Sequence, residues 1–251
     1  MTNFDITIIS DPVCPWCYIG KKRLDSAIAL YQKVYPNARR DTFTVTWRAY
    51  YLDPTAPKRG ISWEERALQK LVATRGASTT DSNPNPDSDR QAVGQLRERL
   101  ARIGRQAGIE FSFAGKIGNT RSAHRAIALS KTLSSSDSDS PADSQNRFVA
   151  ALFAAYFEGT ADITSHEALA DVAAGAGLDG ARMLAWLGGE GDEGGAEVDA
   201  EDRAARDAGL RGVPSFAVQG RRVDGAQDVQ DFLDLFIKIK EEEGGQEQVQ
   251  E

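Results

Sequence analysis

The residues of this sequence best suited to chemistry are its two cysteines, which are separated by two residues. The stretch SDPVCPWCYIGKKRLD (10–25) contains Cys14 and Cys17, with Pro15 and Trp16 between them. A pair this close could form a structural disulfide, half of a metal site or a reactive dithiol. A disulfide across two residues closes too short a loop to restrict the unfolded chain much, so the structural disulfide is the weakest of the three.

The surrounding sequence predicts that the cysteines lie at the start of a helix. FDITIIS (4–10) has the β-branched, apolar pattern of a buried strand, and apolar residues recur at helical spacing from Pro15 to Tyr35. Unpaired N–H groups and the helix dipole stabilise an anion at such an end, and only the thiolate form of cysteine is nucleophilic. The sequence therefore favours a reactive, exposed Cys14, with Cys17 one turn inside and positioned to attack a mixed disulfide on it.

The order of elements predicts an α/β fold. A second strand is expected at 42–51, and the chain ends in two short strands (216–219 and 222–224) followed by an amphipathic helix (228–240). Between these halves the pattern is helical at 62–75, 90–107, 120–134, 145–158, 166–175 and 179–187. A β-α-β start and a β-β-α end can share one sheet, so the middle is predicted to be a helical insertion.

Three polar segments are expected to be disordered. STTDSNPNPDSD (78–89) and SSSDSDSPADSQN (134–146) contain little that could be buried, and residues 241–251 form a strongly acidic tail. We interpret the first two as solvated loops between helices of the insertion. The tail is interpreted as a solvated end rather than a site.

Composition narrows the functional classes. The net charge of −7 and the pI near 5.1 argue against binding to nucleic acid, because no basic excess is available to neutralise phosphates. The start lacks a secretory pattern and no apolar run is long enough to cross a bilayer, so we expect a soluble, cytoplasmic protein without a membrane partner. Thiols in that compartment are kept reduced, which favours a redox-active or metal-binding pair over a structural one.

A second motif lies about two hundred residues from the cysteines. GVPSF (212–216) places Val213 and Pro214 just before the first strand of the terminal hairpin. A cis bond is plausible at such a position, but only about 5–6% of X-Pro bonds in folded proteins are cis. Taken alone, this motif is consistent with an ordinary trans proline.

Together, these motifs resemble the DsbA family of thioredoxin-fold proteins, and specifically its FrnE-like branch. CPWC (14–17) at a helix start pairs with GVPSF (212–216) before a terminal hairpin and helix. The stretches IGNTRSAHRAIALS (117–130), ALFAAYFEGTADITSHEALADVAAGAGLD (151–179) and AARDAGLRGVPSF (204–216) look like the same branch. The resemblance covers nearly the whole chain apart from the two Ser/Asp-rich loops.

The resemblance implies a thioredoxin-like domain made of residues 1–55 and 196–240, with a helical domain at 56–195 inserted between its halves. It also implies that Cys14 attacks disulfides and that Cys17 resolves the mixed disulfide. Val213 and a cis Pro214 would then form the platform for an extended, thiol-bearing substrate, through strand addition if the substrate is a peptide. No bound cofactor is expected, because the Cys14–Cys17 pair carries the electrons itself.

The substrate-binding residues beyond this platform are predicted less directly. Pro15 and Trp16 lie within the motif, and His124 lies in the NTRSAHR stretch that could line a pocket between the two parts. Better-known oxidants of the family have histidine between the cysteines, and Trp16 cannot supply the charge of a histidinium. The oxidase, reductase and isomerase directions therefore all stay open, with protein or small-molecule thiols and disulfides as partners and a homodimer as a possible assembly.

Two alternative functions are considered. The related kappa-class glutathione transferases and 2-hydroxychromene-2-carboxylate isomerases use glutathione, which could be a co-substrate here, but the isomerases generally have serine at the position of Cys14. A non-catalytic zinc or binding protein could use Cys14, Cys17, His124 and His166 as ligands, yet the histidines are too distant in sequence for finger spacing, and no metal is expected.

Overall fold

The cysteines and the GVPSF motif are positioned by a small mixed sheet, which a computed structural model describes together with the helices around it. The structure describes residues 1–76, 86–134 and 139–249. Its elements are β1 (Asn3–Ser10), α1 (Pro15–Val34), a 3₁₀ turn (Ala38–Arg40), β2 (Thr42–Ala49), β3 (Ile61–Ser62), α2 (Trp63–Gly76), α3 (Pro86–Gln106), β4 (Lys116–Ile117), α4 (Arg121–Leu129), a 3₁₀ turn (Ser130–Thr132), α5 (Pro141–Phe157), α6 (His166–Gly175), α7 (Gly180–Gly188), α8 (Gly195–Asp207), β5 (Ser215–Val218), β6 (Arg221–Asp224) and α9 (Val229–Val249).

The main sheet joins the two ends of the chain in the order β2-β1-β5-β6. β1 runs parallel to β2, with Ser10 opposite Ala49 at the end nearest the cysteines. β1 also runs antiparallel to β5, where Ile9 pairs with Ser215. The predicted β-α-β start and β-β-α end therefore share one sheet. The CPWC motif follows β1 and the GVPSF motif leads into β5, so both motifs lie at the same end of these paired strands.

The alternation along β1 determines what packs on the two sides of the sheet. Phe4, Ile6 and Ile8 point into the main core, where α1 and α9 also pack together. Ile9 faces the other way and contacts Ala205 and Leu210, which belong to α8 and the segment after it. The period of two in FDITIIS thus corresponds to one buried face and one face that is exposed at Asp5 and partly covered at Ile9.

Helices α5 and α8 close the β2 edge of the sheet. Gln145 of α5 accepts a hydrogen bond from the Trp47 backbone N–H at 2.9 Å and donates to the Trp47 carbonyl at 3.3 Å. Glu201 and Asp202 of α8 accept hydrogen bonds from the backbone N–H groups of Ala49 and Tyr51, each at 2.8 Å. These side chains satisfy the outward-facing backbone groups that would otherwise invite pairing with another strand.

Aromatic packing connects the helical middle to the dithiol helix. Tyr18 of α1 stacks on Phe153 and Phe157 of α5, with ring centroids 5.2 and 5.6 Å apart. Trp47 of β2 meets Phe153 edge-on at 5.8 Å. The core is therefore continuous between the two parts, and the predicted domain boundaries at 55/56 and 195/196 stay a prediction.

The two predicted polar loops are shorter than expected. α3 begins at Pro86, so residues 86–89 are helical, while 77–85 lie outside the described residues. α5 begins at Pro141, because Ser140 and Asp143 form a reciprocal capping box that starts the helix inside the polar stretch. Residues 135–138 also lie outside the described residues.

The prediction of a disordered tail was wrong for residues 241–249. α9 continues to Val249, and only residues 250–251 lie outside the described part. Glu242 pairs with Arg221, and the carboxylate of Glu243 accepts a hydrogen bond from Thr2, so contacts with the sheet extend the helix beyond its apolar face. Glutamate is also a good helix former.

The helical middle contains one short pairing that the sequence pattern did not reveal. Ile61 pairs with Ile117, and Ser62 with Lys116, in an antiparallel β3–β4 ladder of two residues per strand. Strands this short have no periodic signal. Among the described residues, no helix is long and apolar enough to cross a membrane.

Candidate active site

The CPWC motif begins at the end of β1 and continues into the first turn of α1. Cys14 is the N-cap residue with an extended backbone, and Pro15 occupies the first turn, where a missing N–H costs nothing. The Cys14 N–H donates to the Asp11 carbonyl at 2.9 Å, and the Cys14 carbonyl accepts from Cys17 N–H at 3.0 Å. This turn places both thiols at the N-terminal end of the helix, as the sequence predicted.

The two thiols have different surroundings. Both thiols are buried in the same core cluster, with Cys14 3% and Cys17 1% exposed, so the prediction of an exposed Cys14 was wrong. Cys14 nevertheless lines a pocket, whereas Cys17 is not among the residues of its wall. Burial, and then contact with Cys14, raise the pKa of the Cys17 thiol well above its ordinary value. Cys17 is therefore a protonated, shielded partner for Cys14 at neutral pH.

The GVPSF motif lies directly beside Cys14. The Val213–Pro214 peptide bond is cis, as the resemblance implied, and the Cys14 thiol donates to the Val213 carbonyl at 3.5 Å. Gly20 of α1 allows this close approach, because a Cβ there would lie 3.0 Å from Phe216 and 3.4 Å from Pro214. Residues two hundred positions apart thus form one site.

A pocket of about 530 Å³ opens next to Cys14. One side consists of the dithiol turn, including Pro15 and Trp16, together with Val213. The opposite side is formed by α2 and α3, whose lining residues are Trp63, Arg66, Ala67, Lys70 and Leu71, and Ala92, Val93, Leu96 and Leu100. Trp16 is 37% exposed at this pocket.

The similarity of this chain to a known protein family extends over both the CPWC and the GVPSF motif. A family model described as the DSBA-like thioredoxin domain matches residues 5–236. The chain belongs to the DSBA-like thioredoxin domain family. No curated protein sequence matches the chain at a significant level.

Solved structures of this fold extend over nearly the whole chain. A probable DsbA oxidoreductase from Streptomyces coelicolor is 25% identical, with a TM-score of 0.70, and the match covers 94% of this chain and 89% of that one. A 2-hydroxychromene-2-carboxylate isomerase is 16% identical (TM-score 0.55; 98% and 99% covered). The cytosolic disulfide reductase DsbM from Pseudomonas aeruginosa is also 16% identical (TM-score 0.50; 94% and 98% covered). Membership of the DSBA-like thioredoxin domain family supports an enzymatic role in the thiol oxidoreductase class.

A buried carboxyl group supports the dithiol turn of this DSBA-like protein. Asp11 is 0% exposed and accepts hydrogen bonds from the backbone N–H groups of Leu52 at 2.8 Å and Val13 at 3.3 Å. Burial raises the pKa of Asp11 to about 7, although these hydrogen bonds favour its ionised form. Asp11 thus does more than end β1, because it ties the turn before α1 to the segment after β2.

His124 does not line the pocket, contrary to the sequence prediction. It is 3% exposed, and its Nε2 lies 3.2 Å from the Tyr50 carbonyl. Burial lowers the pKa of His124 to about 4. Although Asp11 Oδ1 lies 3.8 Å from Nε2, both groups are neutral between about pH 4 and 7, so this contact is not an ion pair. The α4 helix faces His124 into the interior rather than toward substrate.

The four proposed zinc ligands are not assembled into a site. His166 hydrogen-bonds through Nε2 with Ser122 at 3.1 Å, and His124 is occupied at Tyr50. Within the described part of the chain, no group of three or more His, Cys, Asp or Glu side chains could hold a metal ion. Cys14 and Cys17 are both free thiols in this structure.

Two cations of the pocket wall were missed by sequence reasoning. Arg66 and Lys70 lie one turn apart on α2; Arg66 pairs with Asp53, and Lys70 Nζ is 3.7 Å from the same carboxylate. Burial, and then the Arg66 charge, lower the pKa of Lys70, while Asp11 and Cys14 act in the opposite direction. Their four-residue spacing was visible in the sequence, but it is equally typical of a solvated helix face.

Proposed function

We propose that this protein catalyses thiol–disulfide exchange, with Cys14 as the attacking thiol and Cys17 as the resolving thiol. The observation that carries the proposal is the position of Cys14: its sulfur lies at the start of α1, next to the Val213 carbonyl, in the wall of an open pocket. The unpaired N–H groups of a helix start attract anions in general, and the thiolate is the nucleophilic form of cysteine. Cys17 is shielded in the core and adjacent in the same turn, as a resolving thiol must be.

The reaction proceeds through two exchanges of sulfur partners. The Cys14 thiolate attacks one sulfur of a substrate R–S–S–R′, which forms a Cys14–S–R bond and releases R′–S⁻. Cys17 then loses its proton and attacks Cys14, which forms the Cys14–Cys17 disulfide and releases R–S⁻. The substrate gains two electrons and two protons in total. A thiol or dithiol reductant restores the reduced pair, and the reverse sequence oxidises a dithiol substrate.

Pro214 and Val213 are proposed to hold the substrate during these steps. The Val213 carbonyl already interacts with Cys14, so it borders the position that a substrate sulfur must occupy. Trp16 and Pro15 would contact the group attached to that sulfur, because they line the same pocket. We also place the activity in the cytoplasm, since this chain's two cysteines form the exchange pair and leave none for structural disulfides.

Trapping of the mixed disulfide tests the roles of the two cysteines. Each reduced variant, Cys17→Ser and Cys14→Ser, is mixed with a small disulfide, and the adduct is followed by intact mass spectrometry. Cys17→Ser should accumulate a stable adduct on Cys14, because the resolving thiol is gone. Cys14→Ser should form adducts at least about tenfold more slowly, because the remaining Cys17 thiol has a raised pKa and does not line the pocket.

Two outcomes would contradict this assignment. Equally fast adduct formation on Cys17 would reverse the two roles. If both variants turned over disulfides at the wild-type rate with dithiothreitol as the reductant, the two cysteines would not be needed for the reaction. That result would favour the alternative of a glutathione-dependent isomerase.

A further inference from the structure

The pocket beside Cys14 contains a recognition surface that the exchange chemistry by itself does not require. We infer that it selects small disulfides that have an apolar body and an anionic group; this inference rests on the proposed thiol–disulfide exchange and names its substrate class. It is carried by three features of the pocket: its size, its apolar wall and the sign of its charges.

The size of the pocket suits a small molecule. Its volume of about 530 Å³ falls within the range of roughly 300–1,000 Å³ that is typical of small-molecule sites. α2 and α3 form the wall opposite the dithiol turn. Cys14, which lies in that turn, is only 3% exposed. A disulfide on the surface of a folded protein would have to enter this space to reach the sulfur, whereas a small disulfide fits inside it.

The wall opposite the cysteines is largely apolar. Leu71 and Trp63 of α2 face the pocket together with Val93, Leu96 and Leu100 of α3. Trp16, Leu52 and Leu96, which are 37%, 41% and 45% exposed, all line this pocket, so it presents a cluster of exposed apolar side chains that a ligand could cover. An apolar ring or chain would bury this wall, whereas the peptide groups of glutathione would lose water there without gaining hydrogen-bond partners.

The charges on the pocket wall are of one sign. In the part of the chain that the structure describes, Arg66 and Lys70 are the charged side chains among its lining residues, and both are cations. Lys70 and Cys14 line the same pocket. Asp53 pairs with both cations, so the group keeps one net positive charge that a carboxylate on the substrate would meet.

The proposed reaction can be followed with 5,5′-dithiobis(2-nitrobenzoate), an aromatic disulfide with a carboxylate on each ring. Cys14 attacks one sulfur and releases one thionitrobenzoate anion. Cys17 loses its proton, attacks Cys14 and releases the second anion, so that the disulfide gains two electrons while the protein pair is oxidised. Dithiothreitol then reduces the pair and is itself oxidised to a cyclic disulfide.

The test compares kcat/KM for four disulfides with dithiothreitol as the reductant. They are 5,5′-dithiobis(2-nitrobenzoate), the uncharged aromatic 4,4′-dithiodipyridine, oxidised glutathione and insulin. Each value is divided by the rate constant for the same disulfide with dithiothreitol alone, which removes differences in intrinsic reactivity. The normalised value should be highest for the aromatic carboxylate, next for dithiodipyridine, and lower for glutathione and insulin.

Two variants examine the contribution of the wall. Lys70→Gln should lower the normalised value for the aromatic carboxylate about fivefold and change that for dithiodipyridine less than about twofold, as the loss of a partly exposed charge pair implies. Lys33→Gln, at the exposed end of α1, removes the same charge far from the pocket and should change neither. Leu96→Glu, at a position exposed enough to tolerate the change, should slow the aromatic carboxylate more strongly than Lys70→Gln does.

The inference and the proposed function can fail separately. Equal normalised values for the four disulfides, or a preference for glutathione or insulin, would overturn the substrate class while Cys14→Ser still abolished exchange. An equal loss for both aromatic disulfides in Lys70→Gln would also overturn it. If Cys14→Ser retained wild-type rates with all four, the proposed function itself would fail.

Discussion

At the residue scale, the dithiol is surrounded by ionisable groups that burial keeps neutral. Burial raises the pKa of Cys17 and of Asp11, and lowers that of His124. Each shift favours the uncharged form, which is expected when a charge would be removed from water without a close counter-ion. These three groups behind Cys14 are therefore neutral between about pH 4 and 7, and Asp11 ionises as the pH rises through 7.

Asp11 should make the stability of the fold depend on pH. Its pKa of about 7 in the folded protein lies above the ordinary value of 3.8, so its contribution to stability is full below about pH 4 and is lost as pH rises through 7. Asp11→Asn cannot ionise. Relative to wild type, this variant should gain about 3 kcal/mol in its free energy of unfolding between pH 5 and pH 8.

Urea denaturation of both proteins across that pH range measures this difference. A difference that stays constant with pH would show that Asp11 ionises in the folded protein as easily as in the unfolded chain. His124 contributes with the opposite sign: its lowered pKa gives stability above about pH 6.5 that is lost as pH falls through 4. Its effect is common to both proteins and is removed by taking the difference.

At the scale of elements, the site depends on how closely α1 approaches β5. Gly20 lies three residues after Cys17, and its missing side chain leaves room for Phe216 and Pro214. The same helix therefore presents the cysteines and contacts the strand that follows the cis-proline. The close packing of α1 against β5 therefore depends on Gly20. A glycine adds nothing to the hydrophobic pattern, so the sequence does not reveal this role.

Gly20→Val should lower the free energy of unfolding by about 1–3 kcal/mol, since the added methyl groups would overpack the contact with Phe216 and Pro214. It should also slow disulfide exchange, because Pro214 would move relative to Cys14. Gly94→Val is the matched control, since a Cβ at that position of α3 meets nothing within 4 Å and the change should stay within about 0.5 kcal/mol. Equal stability of the two variants in urea would contradict the packing argument.

At the scale of the whole molecule, the helical middle and the sheet form one interior. Gln145 of α5 hydrogen-bonds both backbone groups of Trp47, and it also donates to the Ile127 carbonyl at 3.4 Å. Tyr18 stacks on Phe153 across the same junction. The helical part therefore covers a sheet edge and the dithiol helix, in addition to forming one wall of the pocket.

Gln145→Leu should cost about 2–3 kcal/mol, because it leaves the buried Trp47 N–H and carbonyl groups without this partner. Tryptophan fluorescence and circular dichroism should still report one common transition in urea, since the core is shared. Gln69→Leu, on the exposed face of α2, should change stability by less than about 0.5 kcal/mol. Two separate transitions in the wild type would show that the helical part unfolds independently.

The sequence by itself determined the four strands of the main sheet and most of the helices, and it singled out the candidate dithiol. Periodicity and the Pro15 helix start are local signals, so the sequence alone placed Cys14 and Cys17 at the N-terminal end of α1. The resemblance linked them to Val213 and Pro214. Local composition misjudged the starts of α3 and α5 and the end of α9, where caps or contacts with distant residues stabilise polar sequence as helix.

Only the tertiary structure decided which residues surround the dithiol. His124 is turned into the interior, Asp11 is buried behind the turn, and Lys70 lines the same pocket as Cys14 from a helix more than fifty residues away in sequence. None of these positions has a local signature, since burial and distance depend on how the helical part packs against the sheet. The spacing of residues along the chain shows which side chains share one face of a helix. Which residues of other elements that face contacts depends on how the interior is packed.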